Sequence, residues 1–335
     1  MKTVIVNKNR ELVDNIVERP IPKPYDLLVK IDALSVNPID LKRIHRITAA
    51  DSRVLGYDAL GEVVQIGSSV TDFHVGDHVF YAGDTARDGS YAEYQLVDAR
   101  IASLAPKTIA AEQAVAMPLT WLTAYEILVD KLHYLPQKNM NKGTLLIING
   151  AGGAGSSFTQ LAHWMGLTVL ATSSPRNFDW LTTHGTDVPI DYHEDIASQL
   201  EKAGYSEVDH VINLFNTVDY FEIAIQLVRP FGHIVNVAQA SQPLDMNKLQ
   251  AKSISFDWEL MFTKPNLTID LESQGKALEL LSHLLDNGDI KSTTTKVFSG
   301  TLTAELIKTV HNELARSTTV GKLVISYNKE EANEL

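Results

Sequence analysis

The sequence predicts an α/β protein in two parts, a doubly wound parallel-sheet domain and a β-rich domain folded as a partly closed barrel. Three observations lead there. Up to about residue 118 the chain consists of short β-branched or aromatic runs, such as "DLLVKIDALSV" and "GEVVQIGSSV", punctuated by Gly, Asp and Pro. After Gly143, apolar strands alternate with helical stretches of about 10–15 residues, the signature of βαβ units whose sheet is buried on both faces. The 335 residues, 44% of them hydrophobic, suffice for about two domains, each with its own core.

In order along the chain, "MKTVIVNKNRELV" reads as a strand and a turn, with neither the apolar region nor the cleavage site of a signal peptide. "GDHVFYAG" and "SYAEYQLVD" are further strands, and tight turns such as Gly76-Asp77 suggest antiparallel pairing. "AEQAVAMPLTWLTAYEILVDKL" has the period of one long helix despite Pro118. The strands "TLLIIN", "LTVLATS", "DVPIDY", "VDHVINLF" and "GHIVNVA" follow, with helices between them. From about residue 265 a helix, "LESQGKALELLSHLLDNG", gives way to extended pieces ending in "GKLVISY", in the style of the first domain. The final "NKEEANEL" reads as a solvated acidic tail.

Bulk properties exclude several classes of function. The net charge of −12 argues against a sequence-independent hold on nucleic acid or anionic lipid. No apolar run approaches the ~18 residues of a membrane-spanning helix. There is no cysteine, hence no disulfide, thiolate nucleophile or cysteine-ligated metal. The expectation is a cytoplasmic protein acting on a small molecule.

The stretch "IINGAGGAGSSFTQLAHWMG" decides which one. Gly150, Gly152 and Gly155 form G-x-G-x-x-G between a strand and a helix running to about Met165, with Gly153 and Ala154 inside the motif. Such a turn brings a pyrophosphate against the backbone and offers it the N–H groups of a helix N-terminus, as in a Rossmann domain. At the end of the next strand, "LTVLATSSPRN" has no acid to bind a ribose 2′-hydroxyl. Ser173 can instead donate a hydrogen bond and Arg176 can pair with a 2′-phosphate, which favours NADPH over NADH. Ser174-Pro175 also reads as helix-start chemistry, and both readings can hold at once.

The chain resembles the medium-chain dehydrogenase/reductase superfamily over essentially its whole length, through "SVNPIDLKR" (35–43), "LGYDALGEVVQIGSSVTDFHVGDHVF" (55–80), "GSYAEYQLVD" (89–98), "MPLTWLTAYEIL" (117–128), the glycine loop and "GKLVI" (321–325). Within it the chain looks most like the zinc-free quinone oxidoreductase branch, including bacterial proteins labelled zinc-type alcohol dehydrogenase-like. The resemblance implies a GroES-like catalytic domain with a Rossmann domain inserted, a cleft between them, and homodimers joined through the Rossmann sheets. Domain limits follow as 1–120 for the first part of the catalytic domain, 121–264 for the dinucleotide-binding domain and 265–335 for the completion of the catalytic domain with the acidic tail.

By the same resemblance, zinc-dependent relatives carry Cys where this chain has Asn37 and His where it has Tyr57, so no zinc is expected. Without a Lewis acid, hydrogen-bond donors must stabilise the developing oxyanion. A quinone or an α,β-unsaturated carbonyl, which delocalises that charge, is then the easier acceptor. Asn37 and Tyr57 are the candidate catalytic residues, with Asn37 also expected, like Thr120, at the nicotinamide end of the cofactor. Tyr57 stands open between donor and packed ring. Lys42, Trp121, Trp258 and Phe262 are candidates for the substrate cleft, against the plainer readings of a solvated lysine and core aromatics. Ser173, Arg176 and Tyr192 match a 2′-phosphate pocket, Asn213, Leu214, Val237 and Ala238 the nicotinamide edge, and Lys322 the cofactor or a surface ion pair. After "NPIDLKR" the polar "IHRITAADSRVLGYD" departs from the quinone reductase pattern, so the substrate wall does not carry over. The competing functions are a non-catalytic NADPH sensor and a zinc alcohol dehydrogenase.

Overall fold

The structure, a computed structural model, describes residues 1–47, 53–316 and 318–327. The expected acidic tail, 328–335, lies outside the described residues, as do positions 48–52 of the polar stretch after "NPIDLKR". The chain forms two compact units, one made of Met1–Leu119 with Phe262–Leu335 and the other of Thr120–Met261.

The first unit begins with β1 (Lys2–Val6), β2 (Leu12–Ile16) and the 11-residue β3 (Asp26–Val36). After the short helix α1 (Pro38–Ile44) come β4 (Arg53–Val54), β5 (Asp58–Ile66), β6 (His78–Tyr81), β7 (Tyr94–Asp98) and β8 (Ala102–Leu104). β3 is the hub of the larger sheet. Its whole length pairs with β5, while its first half also pairs with β7 across the other edge. With both edges and both faces covered, β3 needs the nearly unbroken apolar run it has.

The single long helix expected over residues 111–132 is broken into α2 (Ala111–Ala114), α3 (Pro118–Tyr125) and a π-helical turn over Glu126–Lys131. Pro118 is the cause: it has no N–H for the preceding turn, but its fixed φ suits a first helical position.

The second unit contains β9 (Thr144–Ile148), α4 (Gly153–Trp164), β10 (Thr168–Ser173), α5 (Phe178–Thr183), β11 (Val188–Asp191), α6 (Ile196–Lys202), β12 (Val208–Asn213), α7 (Thr217–Leu227), β13 (Val228–Asn236) and β14 (Ser255–Trp258). The strands form one parallel sheet in the order β11-β10-β9-β12-β13-β14. The order reverses between β9 and β12, which in doubly wound sheets is where the carboxyl ends of the strands open a ligand crevice. The apolar faces of β9, β12 and β13 pack with α7 in a core containing Leu146, Val211, Phe221 and Ile234.

The chain then returns to the first unit through α8 (Thr263–Leu267), α9 (Leu271–Asp286), β15 (Thr294–Gly300), α10 (Ala304–Ala315) and β16 (Lys322–Tyr327). β16 pairs antiparallel with the second half of β3, and β15 joins β16 in parallel, the one departure from antiparallel pairing in this sheet. α10 corrects the sequence reading, which had only extended pieces here. Thr303 caps it by accepting the N–H of Leu306 at 3.2 Å, and Ala304, Ile307, Val310 and His311 bury one face.

Candidate functional site

In the second unit the glycine turn follows β9 directly. Asn149 turns the chain at a positive φ of 68°, and Gly152 stands at the N-cap of α4 without a side-chain capping bond. The first N–H groups of a 12-residue helix therefore face outward with no side chain of their own cap to satisfy them. Gly150 and Gly155 are required by close approach. A Cβ on Gly155 would sit 2.3 Å from the Asn149 carbonyl oxygen and 2.5 Å from that of Gly150, and one on Gly150 would sit 2.6 Å from the Cβ of Ala171. Gly152, Gly153 and Ala154 are half-buried and line the mouth of the turn. This is a cradle suited to a pyrophosphate.

One strand over, the end of β10 gathers the residues assigned to a 2′-phosphate. Ser173 is buried, with its Oγ accepting from Asn177 Nδ2 at 3.0 Å. Arg176 is exposed on the 3₁₀ turn Pro175–Asn177. Tyr192, after β11, is 45% exposed, and its hydroxyl accepts from Ser174 Oγ at 3.0 Å. Tyr192 is therefore not core packing; it belongs to this polar corner. Ser174 begins the turn with Pro175 at its first position, so helix-start chemistry is present alongside.

The remaining residues of this group lie on the same carboxyl edge. Asn213 ends β12 buried, with Nδ2 donating to the Asn216 carbonyl at 2.9 Å and Oδ1 accepting from Phe215 N at 3.1 Å. Its side chain shapes the loop that presents Leu214. Val237 N donates to the Asn213 carbonyl at 3.2 Å, and the Ala238 carbonyl accepts from Thr217 Oγ1 at 2.5 Å. Thr120 Oγ1 is hydrogen-bonded to Ser157 Oγ of α4 at 2.8 Å. Trp121, a candidate for the cleft, is instead fully buried and takes the core reading, on a helix, α3, that is buried almost all round. Trp258 closes the edge strand β14, is 46% exposed, and meets Phe256 edge-on at 5.3 Å.

In the first unit, β3, β5, α1 and β16 converge on a buried polar knot centred on Asp58. Its Oδ2 accepts three hydrogen bonds, from Ser35 Oγ at 2.7 Å, Asn37 Nδ2 at 2.8 Å and Lys322 Nζ at 3.0 Å, while Oδ1 accepts from Leu119 N at 2.7 Å. Lys322 Nζ also donates to Asn37 Oδ1 at 2.5 Å. Both ends of the Asn37 amide are thus committed within the knot. Lys322, only 4% exposed, is a buried partner of Asp58, not a surface ion pair. The register explains the gathering, since Ser35 lies opposite both Asp58 on β5 and Val324 on β16.

Asp40, which the sequence reading passed over, also reaches the knot. Its Oδ2 accepts from Asn37 N at 2.6 Å, while Oδ1 is buried without a hydrogen-bond partner. Burial pushes its carboxyl up to about 7, an effect reinforced by the Asp58 charge and opposed by Lys322. The native state then holds a proton that the unfolded chain releases between about pH 4 and pH 7, so stability should fall as pH rises through that window. We expect D40N to remove this dependence. Its stability relative to the parent should rise by on the order of 1 kcal/mol per pH unit across the window, read from urea unfolding at pH 5 and pH 8. An equal pH slope in both proteins would contradict the assignment.

Tyr57 precedes β5. Its ring packs on Phe262 with centroids 4.9 Å apart, and it also lines a cavity of about 150 Å³ with Arg43, Arg53, Thr85 and Arg87. The two readings of Tyr57 therefore coexist, a packed ring whose edge faces a cavity. Burial is the main influence pushing its phenol upward, so the hydroxyl stays protonated and able to donate. Lys42, a candidate cleft cation, is exposed and does not line this cavity; its neighbour Arg43 does. One position along a helix rotates a side chain by about 100°, and "LKR" does not say which of its two cations faces inward.

Among the described residues no group of three or more His, Asp or Glu side chains is placed to hold a metal ion, and no helix is long and apolar enough to cross a membrane.

Comparison with known proteins adds the following. Residues 23–107 match the family model of the alcohol dehydrogenase GroES-like domain, and residues 184–325 match that of the zinc-binding dehydrogenases. A zinc-type alcohol dehydrogenase-like protein of Staphylococcus aureus is 41% identical over 92% of each chain. A chloroplastic NADPH-dependent alkenal/one oxidoreductase of Arabidopsis thaliana is 30% identical, over 84% of this chain and 67% of its own. Among solved structures, a putative zinc-dependent alcohol dehydrogenase of Rhizobium etli superposes with a TM-score of 0.89 at 34% identity, covering 97% of this chain and 98% of that one.

Proposed function

This chain is an oxidoreductase of the medium-chain dehydrogenase/reductase superfamily, and we propose that it is an NADPH-dependent, zinc-free reductase of quinones or α,β-unsaturated carbonyls. In this reading residues 121–264 hold the nucleotide, while residues 1–120 and 265–335 meet the acceptor. The protein works in the cytoplasm as a homodimer joined through its second unit. The observation that carries the cofactor choice is the end of β10, where Ser173 and Ser174 are followed by Arg176 with no acid among them and Ser174 Oγ donates to Tyr192, while the carboxylate of Asp191 on the neighbouring strand is engaged by His193. The Arabidopsis relative, named for NADPH and for alkenals and enones, supports it.

When bound, the nicotinamide supplies the hydride. The chain's residues do the rest. The N–H groups at the start of α4 bind the pyrophosphate, and Ser173 and Arg176 hold the 2′-phosphate. Tyr57, held protonated by burial, donates a hydrogen bond to the acceptor oxygen on which charge develops. Asn37 and Lys322 are positioning residues that fix Asp58 and the strand leading from Tyr57. The two positions where zinc-dependent relatives place ligands hold an amide already bonded at both ends and a phenol packed on Phe262, a poor fit to a tetrahedral metal.

The test is oxidation of NADPH and NADH against a panel of ortho- and para-quinones, enals and a simple aldehyde, with chelator present. Chelator-insensitive turnover of quinones or enals with NADPH preferred is the expected result. Tight NADPH binding without turnover would favour the sensor. Activity on the aldehyde alone, abolished by chelator, would favour the zinc enzyme. A narrower expectation concerns Arg176. R176A should raise KM for NADPH by roughly 10- to 100-fold, the worth of a charged hydrogen bond, while leaving KM for NADH within about twofold. Equal effects on both cofactors would remove Arg176 from the 2′-phosphate site.

A further inference from the structure

The cavity beside Tyr57 has a charge imbalance that the proposed reaction does not use. Arg43 and Arg53 both turn their guanidinium groups to one acceptor, the Thr85 carbonyl, at 3.5 and 2.8 Å. Two like charges are thereby held close together, and neither is paired with a carboxylate among the described residues. Nearby Asp26 and Asp84 have partners of their own, and Asp88 Oδ1 accepts from Val54 N at 3.3 Å. Asp26 is bridged by both terminal nitrogens of Arg87 at 2.8 and 2.9 Å, and the Asp84 Oδ1 accepts the N–H groups of Ala86 and Arg87 at 2.5 and 3.1 Å. Arg87 is thus paired with a carboxylate, while Arg43 and Arg53 have none among the described residues, so the lining they share with Tyr57 presents two guanidinium groups without a carboxylate partner there.

Guanidinium pairs of this kind are suited to bind a carboxylate through planar, charge-assisted hydrogen bonds. The cavity, about 150 Å³, is of a size that accommodates a benzene ring. We infer that the acceptor reduced here is a small one, one ring or a short enone in size, that carries a carboxylate bound by Arg43 and Arg53. This rests on the reductase reading above and narrows its substrate class. The reaction balances as NADPH, a proton and the unsaturated acid giving NADP⁺ and the saturated acid. The hydride adds to one alkene carbon and a solvent proton to the other.

The experiment compares 4-oxopent-2-enoate with its methyl ester as acceptors. The ester is the more electrophilic of the two, so a preference for the acid runs against intrinsic reactivity. The parent protein should favour the acid at least tenfold in kcat/KM, mainly through KM, with the ratio falling as salt is raised. In R43Q/R53Q the acid-to-ester ratio should drop toward one, and R43K/R53K should retain part of it. Equal use of acid and ester by the parent protein overturns the inference, whether or not the variants fold. Should no acceptor be reduced, the reductase reading fails, and calorimetric titration with the saturated acid, 4-oxopentanoate, decides the anion site alone. Binding by the parent that R43Q/R53Q loses upholds the site; no binding by the parent overturns it.

Discussion

Replacing Lys322 with methionine should destabilise the protein by about 3–5 kcal/mol, the cost of leaving one member of a buried ion pair alone. Asp58 is fully buried and takes three hydrogen bonds on one oxygen, of which the Lys322 ammonium is the only formally charged donor. Methionine fills the same volume but leaves the Asp58 carboxylate without a counter-charge and the Asn37 Oδ1 without its donor. For a unit of this size the loss corresponds to a fall in Tm of roughly 10 °C. The discriminating variant is the double replacement D58N/K322M, which removes both charges. If the pair acts as a unit, the double variant should recover more than half of the loss, and the coupling energy from the four proteins should exceed about 1 kcal/mol. Additive effects would mean that the two side chains do not depend on each other. The reason to expect coupling is geometric. β16 reaches β3 from far along the chain, and Lys322 is its first residue, so the pair joins the last strand among the described residues to β3, which Asn37 follows, and to β5, which Tyr57 precedes.

The second large effect is expected at Gly155. A Cβ there meets two backbone oxygens, of Asn149 and Gly150, at distances no real Cβ shows. Neither is the tip of a flexible side chain, so the turn itself must move. G155A should weaken NADPH binding more than tenfold, measured by fluorescence titration, and should lower Tm as the start of α4 shifts away from β9. The contrast is Gly152, whose nearest neighbour to an added Cβ is the Asn149 side-chain amide at 3.1 Å, a group with room to turn. G152A should therefore disturb stability less than G155A. Near-native affinity and Tm in G155A would show that this glycine is not required by close packing.

How much of this was readable beforehand differs between the two units. In the second, the inner strands β9 and β10 are apolar runs buried on both faces, and Gly150 and Gly155 of the turn are required by close approach. The strand order and the placement of the cofactor residues on one edge then follow from βαβ connections, which leave few alternatives. In the first unit the short strands were legible, but α10 was not. Its buried residues, Ala304, Ile307, Val310 and His311, include a histidine and an alanine, and its capping Thr303 follows "SGTL", which reads equally well as the end of an extended piece. The long helix around Pro118 failed for the opposite reason. Its composition favours helix throughout, and only the proline marks where it restarts.

The sequence by itself determined the fold class, the glycine turn and the absence of an acid after β10, because each is a property of neighbouring residues or of a fixed period along the chain. Tertiary structure alone decided the chemistry of the first unit. Asp58, Asn37 and Lys322 lie 21 to 285 positions apart and become one hydrogen-bonded group only through the pairing of β16 with β3 and β5 with β3. The same holds for Arg43, Arg53 and Thr85, whose meeting at one carbonyl depends on how α1 and the loop after β6 are packed. Side-chain type is local, but the burial and the neighbours that set a group's charge are not, and those only the folded chain supplies.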